Sequence, residues 1–281
     1  MVIPAYNERE GIARVLKSLK DTLGELDVPI EFIVVDDGST DGTSEILGTI
    51  NDIRMIRHKE NKGYGAAIKT GMKEARYDWV CITDADGTYP NEKIPELVSA
   101  MVENDMVVGA RVIKGVSIPL VRKPAKWILT QLANYLAQQK IPDLNSGLRI
   151  FKKQVAECFL NILPDRFSFT TTITLAMLCN NHRVLFLPID YYPRTGKSKI
   201  RPFHDTMNFL QLIVRTILYF NPLRIFLPVG VGLLLTSVIL FVLRLFKIGP
   251  FAVTIPMFLL AGIQILAIGM LADLIDRRMK T

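Results

Sequence analysis

Cysteine and histidine are scarce in this 281-residue chain, with three of each. Cys81, Cys158 and Cys179 are odd in number and lack metal-type spacing, which excludes a disulfide framework and a cysteine-based metal site. Unpaired thiols in a reducing compartment are expected. His58, His182 and His204 form no metal set, and each is expected to be satisfied or exposed. Charge is missing altogether from two long stretches, "IFLPVGVGLLLTSVILFVL" (225–243) and "PFAVTIPMFLLAGIQILAIGMLA" (250–272). As helices each measures about 28 Å or more, enough to cross a hydrocarbon core, and this length disfavours the alternative of buried core helices. Carboxylates are nearly missing between Arg111 and Ile189, where only Asp143, Glu157 and Asp165 occur.

The charges that are present have a direction. Arg215 and Arg224 precede the first apolar run, and Arg277, Arg278 and Lys280 follow the second, against Arg244 and Lys247 in the connector "RLFKIG". The positive-inside rule then places both outer ends of the hairpin, and the N-terminal domain, on the cytoplasmic side of an integral membrane protein. A net charge of +7 and a pI near 9.3 would suit nucleic acid or an anionic membrane surface. The two spans select the lipid bilayer and argue against nucleic acid. Residue 1 already belongs to a strand-like run, so no cleavable leader is read before it, and the abrupt start leaves room for a few residues upstream.

Strand and helix signals alternate through the first half. "MVIPAY", "IEFIVVDD", "IRMIRH", "WVCIT" and "DMVVGAR" read as strands. Between them, "EREGIARVLKSLKDTL", "STDGTSEILGTI", "GYGAAIKTGMKEA" and "NEKIPELVSAMVEN" read as helices, with Ser39, Thr40 and Asp41 as possible caps of the second. Such alternation implies an α/β class with a mostly parallel sheet covered by helices on both faces. Ligands of such sheets sit at the carboxyl ends of the strands, so Tyr6, Glu8, Asp36, Asp37, Asp84 and Asp86 are expected along one edge.

Asp84 and Asp86 can be read in three ways: as metal ligands, as containing a nucleophile, or as a plain strand end. A Mg2+ or Mn2+ ion takes carboxylate and phosphate oxygens together, and as a Lewis acid it stabilises a departing diphosphate. Residues i and i+2 share a face if strand geometry continues through them. "VCITDADGTYP" also resembles the first motif of haloacid-dehalogenase-type phosphatases. In that family the motif lies on an early strand with a lysine and a second acidic pair after it, whereas here Asp36 and Asp37 come before.

The ordered set "IPAYNE", "VVDDGSTDGT", "NKGYGAAIKTG" and "DADGTYP" resembles the family 2 glycosyltransferases of the GT-A fold. More narrowly it is similar to the polyprenol-phosphate glycosyltransferases, the group containing dolichol-phosphate mannose synthase. The likeness runs from residue 1 to about 224, and the hairpin resembles the membrane anchor of some members. The resemblance implies that Pro4, Ala5, Tyr6 and Glu8 hold the nucleoside, and that Asp37 pairs with base or ribose, with Asp36 and Lys62 in the same donor pocket. It also implies that Asp84 and Asp86 hold metal and diphosphate. Thr88 stands where members carry a glutamine as a further metal ligand. On the acceptor side, Arg111 and Arg122 match the phosphate-binding arginine pair, with Lys123 beside the second, while Lys126 replaces a serine. "DLNSGLR" resembles a D-x-x-S-G segment that places Asp143 and Ser146 near the reacting groups. "RTGKSKIRP", with Arg194, Lys197, Lys199 and Arg201, matches a basic loop over the phosphates.

The acceptor side can also be read physically. A hydroxyl acceptor needs a general base, whereas a phosphate is already an anion and needs cations. The shortage of carboxylates therefore favours a phosphate acceptor. "PAKWILTQLANYLAQQ" (124–139) has a polar stripe of Lys126, Thr130, Asn134 and Gln138; "FHDTMNFLQLIVRTILYF" (203–220) has one of His204, Asn208, Gln211 and Arg215. Both fit helices in the membrane interface, with Trp127 or Tyr219 near the headgroups; packing on the domain core is the alternative. "SFTTTITLAML" suggests no specific chemistry. The expected organisation is a catalytic domain (1–200), an interfacial helix (201–224) and a transmembrane hairpin with a basic tail (225–281). The expected activity is inverting transfer of a sugar from a GDP- or UDP-linked donor to polyprenyl or dolichyl phosphate. A processive polysaccharide synthase would need a Q-x-x-R-W motif and more spans. A non-catalytic membrane partner that keeps the nucleotide fold is the alternative from outside enzymology.

Overall fold

Ile12, Val15, Leu16, Leu19 and Leu23 recur at helical spacing and are all buried, so the first helix, α1 (Ile12–Leu23), lays one apolar stripe on the core. In the computed structural model of this protein, residues 1–111, 131, 134–135, 137–166, 168–192, 218–219, 222–249 and 252–279 are described, the last four of them by backbone alone. The chain divides into Met1–Ile213 and Val214–Thr281.

Seven strands form one sheet in the order β3-β2-β1-β4-β6-β5-β7. They are β1 (Val2–Ala5), β2 (Ile33–Asp36), β3 (Arg54–Arg57), β4 (Trp79–Ile82), β5 (Met106–Arg111), β6 (Arg149–Lys152) and β7 (Val184–Ile189). β1 pairs in parallel with β2 from Val2↔Ile33 to Ala5↔Asp36, and β2 with β3 from Ile33↔Arg54 to Asp36↔Arg57. The five strands read from the sequence are present. β6 and β7 are additional, and β6 runs antiparallel to both β4 and β5. Among the described residues this unit also has helices α2 (Thr43–Gly48), α3 (Tyr64–Glu74), α4 (Ile94–Ala100), α5 (Lys153–Glu157) and α6 (Phe169–Cys179).

Two local expectations change. The N-cap of α2 is Gly42, at φ 95°, and makes no side-chain cap bond. Ser39, Thr40 and Asp41 instead serve the turn before it: Asp41 accepts from the Thr43 amide at 3.0 Å, and Ser39 Oγ accepts from the Asn7 amide at 2.9 Å. The run "SFTTTITLAML" is α6, buried on every side. Its threonines are tolerated there because their hydroxyls return to helix carbonyls, Thr172 to Ser168 at 3.0 Å and Thr174 to Thr170 at 2.8 Å.

The second unit carries α7 (Leu223–Leu245) and α8 (Thr254–Met279). α8 begins four residues later than the sequence pattern indicates and continues past Ala272. Both helices pass the length and hydropathy of a membrane span, with only 11% of each apolar window buried. That exposure argues against the core-helix alternative. They pack antiparallel, with Gly269 against Phe226, Gly262 against Leu234 and Gly230 against Leu266, and Ser237 Oγ donates to the Ile255 carbonyl at 3.0 Å. Within 124–139, residues 131, 134, 135 and 137 are described and helical, as are 218 and 219 within 203–220. Gln138, at φ 53°, and Gln139 are described and lie in the turn that ends the first helix, short of the expected boundary; the rest of both amphipathic segments lies outside the described residues.

α3 crosses β1 at Gly71, where a Cβ would lie 2.4 Å from Val2 Cγ1. Alanine there would gain about 1 kcal/mol of helix propensity and lose about 1–3 kcal/mol to overpacking against a stiff, buried valine. Gly71→Ala is expected to lower the thermal unfolding temperature of the solubilised protein. Gly48→Ala, which meets no atom within 4 Å, is expected to leave it unchanged or raise it.

Candidate donor and metal site

The carboxyl ends of β1, β2 and β4 gather the acidic residues, and each is held by a different set of donors. Pro4 and Ala5 are buried within β1, and the Ala5 carbonyl accepts the Asp37 amide at 2.8 Å. Tyr6 is 39% exposed and Glu8 partly so. The chain between them turns at Asn7, at φ 57°. Asn7 Oδ1 accepts from the Thr40 amide at 2.9 Å, and the Glu8 amide donates to Thr43 Oγ1 at 3.0 Å, tying this loop to the turn before α2.

Asp36 and Asp37 lie at the carboxyl end of β2, the expected edge, but both are buried. Asp36 is fully buried, accepts from the Ser39 amide at 3.0 Å and from Ser44 Oγ, and pairs with Arg57 at 3.5 Å. Asp37 is 3% exposed and accepts from the Lys62 amide at 2.9 Å and the Gly63 amide at 2.8 Å, with His58 Nδ1 at 2.6 Å. His58 in turn contacts Thr70 Oγ1 at 3.0 Å, the satisfied histidine expected. The physical reason is cost: a buried carboxylate must be matched by donors, and protein N–H and O–H groups supply them. Asp37 therefore fixes the Lys62–Gly63 backbone, and Lys62 is left with an exposed side chain. Gly38 follows the two aspartates at φ +74°, where a Cβ would fall 2.7 Å from the Glu60 carbonyl carbon, so only glycine fits.

β4 ends at Ile82, so Asp84 and Asp86 sit in a turn, not on one continued strand face. Asp86 Oδ1 accepts from the Thr88 amide at 3.1 Å and from Thr88 Oγ1 at 2.7 Å. Thr88 is wholly buried, and its hydroxyl orients Asp86. Asp84 Oδ1 accepts from Tyr64 Oη at 3.0 Å. Burial, then the charge of Asp84, pushes the phenol pKa of both Tyr64 and Tyr89 upward, so both are protonated donors at neutral pH. Gly147 backs onto the same carboxylate, where a Cβ would lie 2.8 Å from both oxygens of Asp84, and its amide donates to Tyr89 Oη at 2.6 Å.

The residue that sequence reasoning missed is Arg149. It is fully buried and donates to the Ser146 carbonyl, to the Thr170 carbonyl at 2.9 Å and to Thr174 Oγ1 at 2.9 Å. Burial lowers its pKa to about 10, which leaves it charged at pH 7. It clamps the Ser146–Gly147 turn that supports Asp84. The available signal was an arginine inside an apolar run, "GLRIF", matched with threonines four apart in α6.

On the acceptor side, Arg111 is engaged. Its Nε lies 2.6 Å from Asp143 Oδ2 and its Nη2 2.9 Å from Oδ1, and its guanidinium stands 5.2 Å from the Tyr191 ring. For Arg111, burial pulls the pKa down but the Asp143 hydrogen bonds outweigh it and raise it. For Asp143, burial raises the pKa but Arg111 outweighs it and lowers it. Ser146 is fully buried, and its Oγ donates to the Gly109 carbonyl at 2.5 Å. Past β7 the Tyr192 amide donates to the Thr88 carbonyl at 2.9 Å and Tyr191 stacks edge-on with Tyr89 at 5.4 Å, so the described chain leaves for "RTGKSK" beside the Asp86 turn. Arg122, Lys123, Lys126, Arg194, Lys197, Lys199 and Arg201 lie outside the described residues.

The fold and the acidic turn define a glycosyltransferase of GT-A type, and residues 1–160 match the glycosyl transferase family 2. The chain belongs to that family, and residues 221–277 match the GtrB C-terminal hairpin. It is 30% identical over 294 residues to the undecaprenyl-phosphate 4-deoxy-4-formamido-L-arabinose transferase of Proteus mirabilis, covering 99% of this chain and 88% of that one. It is 28% identical over 249 residues to the low-salt glycan biosynthesis hexosyltransferase Agl6 of Haloferax volcanii, over 86% of this chain but only 58% of that protein's length. Among solved structures, the glucosyl-3-phosphoglycerate synthase of Mycobacterium tuberculosis with Mn2+, uridine diphosphate and phosphoglyceric acid shares the fold. Its TM-score is 0.58 at 18% identity, over 77% of this chain and 75% of that one. TarS of S. aureus with UDP-GlcNAc gives 0.53 at 20% identity, over 77% and 65%. The haloacid-dehalogenase alternative finds no support in fold or relatives.

Gly147→Ala is expected to displace Asp84 and cut transferase activity about 10–100-fold, the usual cost of losing a group that orients a ligand, with little change in expression. Activity at saturating donor checks this. Asp143→Asn is expected to lower stability at pH 7. Because the folded pKa of Asp143 is depressed below its ordinary 3.8, the pair's contribution is present above that value and lost as pH falls through the folded one. The stability gap between wild type and variant should therefore close only in acid, as followed by thermal unfolding across pH.

Proposed function

We propose that this protein transfers a sugar from a nucleoside diphosphate donor to polyprenyl phosphate at the cytoplasmic membrane face. The observation that carries the reading is the state of the three carboxylates between Arg111 and Ile189. Asp143 is paired with Arg111 at 2.6 Å, Asp165 with Lys69 at 2.7 Å, and Glu157 lies 3.8 Å from Lys153. None is placed as a general base, so the acceptor that suits this side is one already ionised, a phosphate. The undecaprenyl-phosphate transferases among the relatives support the same acceptor, and the two apolar helices hold the domain where such a lipid is found.

Asp84 and Asp86 fit a Mg2+ or Mn2+ ion. Among the described residues no group of three His, Cys, Asp or Glu side chains could hold one, and hard cations at diphosphate sites are commonly held by one or two carboxylates with phosphate oxygens and water. Such an ion supplies charge neutralisation for the leaving diphosphate. Thr88 is assigned to orienting Asp86, and Tyr64 to orienting Asp84. Tyr6, Glu8 and Lys62 border the nucleoside, with Asp37 acting through the backbone it holds. Arg111, with Arg122 and Lys123, receives the acceptor phosphate, and Arg194, Lys197 and Lys199 screen the diphosphate. An acceptor oxygen then attacks the anomeric carbon in line as the bond to the diphosphate breaks, and the configuration inverts.

Membranes containing the protein, given a panel of labelled nucleotide sugars, polyprenyl phosphate and Mn2+, are expected to form one labelled lipid. Asp86→Ala should reduce this by roughly 100-fold or more while the protein stays folded and membrane-bound. Wild-type rates in that variant, or labelled product formed equally without polyprenyl phosphate, would refute the assignment.

A further inference from the structure

The segment from Asp143 to Gly147 links the two halves of the site. At one end Asp143 pairs with Arg111, and at the other Gly147 backs onto both carboxylate oxygens of Asp84. Asn145 stands midway, two residues from each, so its Cα lies within about 7 Å of both of theirs. Its backbone amide donates to Asp143 Oδ1 at 3.0 Å. It is exposed, whereas Ser146 beside it is fully buried.

The carboxamide of Asn145 is oriented from behind by α6. Thr172 and Thr174 return their hydroxyls to carbonyls of their own helix, but Thr171, only 1% exposed, donates out of the helix to Asn145 Oδ1. The same helix holds Arg149 through Thr170 and Thr174, so Asn145 shares its support with the turn behind Asp84. With Oδ1 engaged, the free end of the side chain is Nδ2, which carries two N–H donors and no acceptor. Among the described residues nothing accepts from it.

We infer that Asn145 holds the transferred sugar, donating from Nδ2 to one of its hydroxyl oxygens, and that Thr171 is the positioning residue that aims it. This rests on the nucleotide-sugar reading above and adds the group that grips the sugar. In-line transfer requires the sugar to lie between the diphosphate at Asp84 and Asp86 and the acceptor phosphate at Arg111, and Asn145 lies between the residues that back those two. Phosphates are matched by cations, whereas an uncharged hydroxyl oxygen is matched by a neutral amide.

The test uses full-length protein in membranes with Mn2+, polyprenyl phosphate and labelled UDP-glucose, UDP-N-acetylglucosamine or GDP-mannose. Asn145→Ala is expected to lower kcat/KM for the donor about 3–10-fold, the worth of one neutral hydrogen bond. Inhibition by free UDP or GDP, which lack the sugar, should be unchanged, as should the KM for polyprenyl phosphate and the unfolding temperature. Asn145→Asp keeps an oxygen for Thr171 but removes both donors, and should lose at least as much. Thr171→Val should lose part of the same activity, with Thr171→Ser retaining it. Wild-type kcat/KM in both Asn145 variants, an equal loss of UDP or GDP binding, or a loss confined to the KM for polyprenyl phosphate would overturn the sugar role. Equal rates in the two Thr171 variants would overturn the positioning role. If the wild type forms no labelled lipid from any of the three donors, the nucleotide-sugar reading itself fails and this inference falls with it.

Discussion

Four carboxylates crowd the carboxyl edge of one sheet, and the need to hold that negative charge organises the catalytic domain. Asp36 and Asp37 are withdrawn from solvent and saturated with amides, hydroxyls and His58. Asp84 and Asp86 remain partly exposed and are each steered by one hydroxyl-bearing neighbour. The first pair thereby becomes scaffold, because its bonds close the turn before α2 and the loop into α3. The second pair is left partly open at the same edge. Interiors tolerate ionised groups only when they are matched, so the division follows from which strand end is covered.

Support for the exposed pair comes from the far side of the sheet. β6 runs antiparallel between β4 and β5, and this reversal brings the Ser146–Gly147 turn against Asp84. Arg149, one residue into that reversal, is held by α6 threonines and carbonyls, not by a carboxylate. A buried cation without a paired anion is expensive, and here each of the three guanidinium nitrogens donates to a neutral oxygen. The unusual composition of α6 is explained as the other half of this clamp.

The second unit obeys the opposite solvent rule. Its close contacts are glycines set against leucine and phenylalanine, and its large apolar side chains face outward. In lipid nothing is gained by hiding leucine, so close approach and internal hydrogen bonding govern helix pairing.

Periodicity and punctuation in the amino-acid chain were enough to determine the five leading strands, their helices, the two apolar helices and the position of Asp84 and Asp86 just past a strand end, because these depend on local pattern and on burial of a continuous face. The order of motifs also determined the family. Strands β6 and β7 were hidden, since a short apolar run does not declare its direction or its neighbours. Tertiary structure alone decided that Asp36, Asp37 and Ser146 are internal, that Arg111 is already paired with Asp143, and that Arg149 matters. Each of those outcomes depends on partners 21 to 37 residues or more away for Asp37, Ser146, Arg111 and Arg149. Hydrogen-bond saturation is a property of three-dimensional neighbours, and no linear spacing records it.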